Sequence, residues 1–155
     1  MIGAIPNPTK THIVSFPIGK VKVAVERITK ISKKYKFTSS NNVFNQTTLE
    51  AYELLSLGVY IDISLSEIAE NKTQITVEVR RKIGSFNQSS EVTNANIHLN
   101  KIFEFLGKAI ELDDSAFLDF LNEEGQLEIK KKKDEKFIFV YLLIVIIIIA
   151  YFLSK

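Results

Sequence analysis

Two runs of strict alternation narrow what this chain can become. In "GVYIDISLSEI", Val59, Ile61, Ile63 and Leu65 face one way while Tyr60, Asp62, Ser64 and Ser66 face the other. In "TQITVEVRRK", Ile75, Val77 and Val79 oppose Gln74, Thr76, Glu78 and Arg80. Two such strands must place both apolar rows on one side, because a slip of one residue turns every side chain over. An odd-length loop does this. Three residues at Glu70, Asn71 and Lys72 set Ile63 opposite Val79 and Asp62 opposite Arg80. That exposed ion pair is worth ~0.5 kcal/mol and marks register, not catalysis.

The rest of the chain supplies partners for this pair. "THIVSF" is a short β-rich run closed by Pro17, and Val21, Ala24, Val25, Ile28, Ile31 and Tyr35 then recur at helical spacing. "YKFTSSNNVFNQTTLEAY" reads as two strands around a Ser-Ser-Asn-Asn turn. From about Ser90 to Leu112, Val92, Ala95, Leu99, Ile102, Leu106 and Ala109 form a helical stripe that Phe103 and Ile110 widen. The order is β-α-β-β-β-β-α over residues 1–112. It predicts an α+β two-layer sandwich, with a short and a long helix packed on one face of an antiparallel sheet.

That order resembles the small helix-grip-like domains of some bacterial envelope proteins. The likeness is carried by "SFPIGKVKVAVERI", the alternating strands and "TNANIHLNKIFEFLGKAI", across most of residues 10–112. The chain departs from the lipoprotein members in lacking an N-terminal lipidation cysteine. The resemblance implies binding of partners or small apolar ligands more than catalysis, and it brings over no catalytic residue. A ligand would sit between sheet and long helix, near Ile63, Val77 and Phe103.

Beyond Leu112, "DDSAFLDFLNEEGQLEI" predicts a short helix carrying Phe117, Phe120 and Leu121, the start of a linker over residues 113–136. Phe137 to Leu153 then runs for seventeen residues without a charge, an amide or a proline. As a helix it measures about 25 Å against a hydrocarbon core of about 30 Å. Lys136 and Lys155 can snorkel to close the difference. We expect a single-pass tail anchor, with Phe137, Tyr141, Ile146, Tyr151 and Leu153 in contact with the bilayer. Lys130, Lys131, Lys132, Lys133 and Lys136 precede it and only Lys155 follows, so the domain is expected on the cytoplasmic side. The same five lysines are candidates for anionic lipid headgroups. The N-terminus carries no signal-peptide pattern.

Catalytic chemistry is hard to assemble from these residues. There is no cysteine, and the two histidines, His12 and His98, read as ordinary surface or boundary residues rather than a metal pair. We expect no catalytic, cofactor or metal site, and no nucleic acid partner. Charge is divided: Lys20 to Lys36 holds seven basic residues and one acid, whereas Ser89 to Glu128 holds nine acids and two lysines. The leading expectation is a non-enzymatic module that binds a protein partner, or a second copy of itself, at a membrane surface. Phe86, Arg80, Lys33 and Lys34 are the candidate contacts, with Phe86 reading first as a staple against the first turn of the following helix near Val92. Binding of a small apolar ligand or lipid is the alternative.

Overall fold

The computed structural model describes residues 5–53 and 56–123. The elements run β1 (Thr9–Val14), α1 (Ile18–Ile31), β2 (Tyr35–Asn41), β3 (Gln46–Glu53), β4 (Ser56–Ala69), β5 (Lys72–Arg81) and α2 (Ser89–Glu111). All five strands join one antiparallel sheet in the order β1-β5-β4-β3-β2. Both helices cover one face of it. Val21, Val25 and Ile28 of α1 and Leu99, Ile102 and Leu106 of α2 share a core with Leu49, Ile61, Ile63, Ile75, Val77 and Val79.

The pairing of β4 with β5 satisfies the parity rule by a different route from the one expected. The turn has two residues, Glu70 and Asn71, with Ala69 opposite Lys72 and Asn71 in the left-handed region at φ 56°. A two-residue turn alone would put the apolar rows on opposite faces. Ile68 is an extra, bulged residue that restores them, so Ile63 pairs with Val77 and Asp62 with Glu78. The Asp62–Arg80 ion pair survives as a diagonal contact at 2.5 Å.

The β2–β3 turn also moves. The strand continues through Ser39, Ser40 and Asn41, and residues 42–45 make the turn. The Asn41 side chain accepts hydrogen bonds from the backbone N–H of Val43 (3.0 Å) and Phe44 (3.3 Å), and Asn45 takes φ 47°. Tyr35 opens β2 and does not extend the α1 stripe.

Two polar clamps hold α2. Arg27, counted in the sequence among the basic surface of α1, is buried. Its guanidinium donates to the carbonyl oxygens of Ala109 and Leu112, each at 2.8 Å, where α2 ends and leaves carbonyls without helical partners. At the other end, Glu91 accepts the N–H groups of Asn87 and Gln88 and binds Arg81 of β5 at 2.5 Å.

The chain divides after Asp113 into two compact units. The described part of the second is a helix over residues 114–123, on which Phe117 and Phe120 stack at 6.4 Å. The anchor expected over 137–153, with Lys130, Lys131, Lys132, Lys133 and Lys136 before it, lies outside the described residues. Among the described residues no helix is long and apolar enough to cross a membrane.

Candidate ligand-binding cleft

Strand β1 adds to β5 at the sheet edge, and its inward positions are Lys10, His12 and Val14, opposite Val77, Ile75 and Thr73. Two of the three are polar. The apolar rows of β5 therefore end in side chains that do not close against α2 as leucine or isoleucine would. A cleft of about 270 Å³ remains between β1, β5 and the C-terminal half of α2. Ile75, Val14, Phe103, Leu106 and Ile110 give it apolar walls, and His12 stands at its edge with its ring 4.6 Å from that of Phe103. Beside it, Lys10 Nζ donates to Asn100 Oδ1 at 3.1 Å and lies 5.7 Å from the Phe103 ring centre.

Gly107, itself exposed, stands at the rim of the cleft. It falls on the helical row of Phe103, Leu106 and Ile110, and a Cβ built on it would meet nothing within 4 Å. A glycine inside a helix costs about 1 kcal/mol relative to alanine. Gly107→Ala is therefore expected to stabilise the protein by about 0.5–1 kcal/mol, seen as a higher urea midpoint, while slightly narrowing the cleft.

Neither known sequence-family patterns nor curated proteins match the chain, but solved structures do. A START superfamily protein from Mycobacterium smegmatis superposes with a TM-score of 0.51 at 12% identity, covering 68% of this chain and 97% of that one. The crystal structure of CalU16 from Micromonospora echinospora superposes with a TM-score of 0.51 at 12% identity, covering 81% and 90%. Its solution structure gives 0.52 at 12% identity, covering 81% and 88%. The domain has a helix-grip fold. Within this helix-grip domain the cleft lies on the inner face, where the long helix crosses the sheet beside β1.

The expected cavity is thus present but displaced. Phe103 lines it, whereas Ile63 and Val77 are fully buried in the packed core and Ile75 takes the place given to Val77. His98 is not at the surface. It is buried on the opposite flank of α2, with Nδ1 3.1 Å from the Tyr35 hydroxyl. Burial pushes the Tyr35 hydroxyl up to about 12 from 10.0, and the charge of Glu104 pushes the same way. The folded chain therefore holds the phenol neutral more strongly than the unfolded chain does. That stabilisation is complete below pH 10.0 and is lost as pH rises towards about 12. Tyr35→Phe is expected to cost about 1 kcal/mol at neutral pH and to flatten this alkaline loss, as urea midpoints measured against pH will show.

The candidate partner contacts do not gather. Phe86 is buried in the core, with its backbone bridged to Ile5, so its ring is no surface contact. Lys33 and Lys34 lie on the exposed turn before β2, three strands from Arg80 on β5. Arg80 lies on the outer face, 4.4 Å from the Tyr60 ring centre. Nearby, Lys82 sits 4.0 Å from the Tyr52 ring centre and binds Glu50 at 2.7 Å, a hydrogen bond that holds the Glu50 carboxyl below the usual carboxylate range. Sequence reasoning placed Tyr60 and Arg80 on the outer face but did not join them to Tyr52 and Lys82, because the layer draws on three strands. It also missed His12 and Gly107. The one available signal for Gly107 was its place in the helical row of Phe103 and Ile110.

Proposed function

We propose that this domain holds a small, largely apolar ligand in the cleft between β1, β5 and α2, without catalysing its conversion. The observation that supports it is the cleft itself, about 270 Å³ with apolar walls and an exposed glycine at its rim. Ligand pockets usually run from about 300 Å³ upward, so the ligand is small or leaves part of itself outside. Of the described lining residues only His12 is titratable, and none of the others carries a carboxylate, hydroxyl or thiol. The helix-grip resemblance points to binding rather than turnover. Residues 137–153 would hold the domain to a membrane, on its cytoplasmic side.

Photolabelling tests the reading. With the full chain in phospholipid vesicles, an alkyl diazirine fatty acid is expected to label the peptide containing Phe103, Leu106 and Ile110, and excess unlabelled fatty acid to suppress it. Labelling spread evenly over the domain, or indifferent to competitor, would refute it.

A protein partner is the second reading, favoured by the outer layer of Tyr52, Tyr60, Arg80 and Lys82, residue types that dominate binding energy at interfaces. On that reading Tyr52→Ala weakens assembly without altering photolabelling.

A further inference from the structure

The hairpin joining β2 and β3 carries no charged residue between Lys36 and Glu50, in a chain where a quarter of residues are charged. Most of these thirteen positions are serine, threonine, asparagine or glutamine, polar without charge. At its apex stand Val43 and Phe44, 84% and 70% exposed. They are held there by the Asn41 side chain and the left-handed Asn45. The strand registers fix what lies near this apex. Asn45 and Gln46 sit against Leu65 and Ser64 of β4, a few residues before the β4–β5 turn with its exposed Ile68. The same end of the sheet holds the close of β1, where Ile13 is exposed and His12 to Val14 line the cleft. Val43, Phe44, Ile68 and Ile13 thus lie towards one end of the strands, the hairpin apex at the β2–β3 side of the sheet and the cleft at its β1 edge.

We infer that this end of the sheet rests on a lipid bilayer, with Val43 and Phe44 inserted among the acyl chains and the cleft beside the membrane surface. An uncharged, asparagine-flanked apex suits a bilayer. Asparagine side chains bond in the headgroup layer while valine and phenylalanine leave water for hydrocarbon. The absence of charge makes the contact indifferent to anionic lipid and to salt. Two side chains bind weakly by themselves, but a domain already tethered through residues 137–153 meets the surface at high effective concentration. The contact rests on the tether proposed above, and it turns the end of the sheet that carries the cleft towards the bilayer.

The chain has no tryptophan, so one reporter can be read alone. Phe44→Trp and, at the opposite end of the sheet, Ile83→Trp are each placed in the full chain and mixed with phosphatidylcholine vesicles carrying brominated acyl chains. The site of the control, Ile83, is 65% exposed. Both variants should float with the vesicles. The reporter at position 44 should shift to the blue and lose more than half its emission to bromine, unchanged by added salt, while that at position 83 stays bright. Flotation with both reporters unquenched, or both quenched equally, overturns the contact and leaves the tether standing. Failure to float overturns both. A blue shift at position 44 that needs no vesicles and grows with protein concentration assigns the apex to a second copy and overturns the bilayer assignment.

Discussion

Gly58→Ala is expected to destabilise the domain by about 3 kcal/mol or more, combining a backbone conformation that L residues resist with overpacking. Gly58 lies in β4 at φ 86°, beside the irregularity where β3 and β4 slip register between Ala51 and Glu53. A Cβ there would press on the carbonyl oxygen of Ala51, and the neighbouring Cα of Tyr52 lies 3.3 Å from it. Both are backbone of the paired strand, so relief requires the main chain itself to move. The expected result is a large fall in urea midpoint, with Gly107→Ala moving the other way. A Gly58→Ala protein within about 0.5 kcal/mol of the parent, the range of a surface substitution, would contradict the geometry.

Removing the Arg27 guanidinium is expected to cost about 2–4 kcal/mol. Two charge-assisted hydrogen bonds disappear, and the carbonyls of Ala109 and Leu112 lose a donor at a helix end that attracts positive charge. Arg27→Met keeps the apolar stem and isolates the polar loss. Arg27→Lys keeps the charge without the planar fork and should fall between the two. Amide hydrogen exchange should show the last turn of α2, Ile110 and Glu111, opening first in Arg27→Met. If Met and Lys variants are equally stable, the charge at the helix end contributes nothing.

How much of this was legible in the sequence depends on period and reach. The alternation from Val59 to Leu65 and from Ile75 to Val79 specified two strands, their inward rows and the side that the helices must cover. The long stripe from Val92 to Ile110 specified α2 to within a residue at each end. Turn chemistry was harder, because the β2–β3 and β4–β5 hairpins use asparagine in the left-handed region and each carries a register shift, at Thr38 and at Ile68. Parity was readable there, but the device that satisfied it was not. Arg27 read as surface charge because its role needs the end of α2, 82 positions away in sequence from its nearer acceptor. His98 read as boundary for the same kind of reason, since its partner Tyr35 belongs to β2. The cleft was the least visible feature. It depends on an edge strand with two polar inward side chains, Lys10 and His12.

Filling the cleft from its own helix tests ligand binding most directly. Gly107→Leu places a side chain at the rim of the cleft, where a built Cβ meets nothing beyond its own helix turn within 4 Å, so the fold should tolerate it. In the photolabelling assay with full chain in vesicles, Gly107→Leu should abolish saturable labelling of the Phe103–Ile110 peptide while its urea midpoint stays at or above that of the parent. Labelling that remains at the parent's level and competes with the same affinity would mean that the cleft is not where an apolar ligand binds.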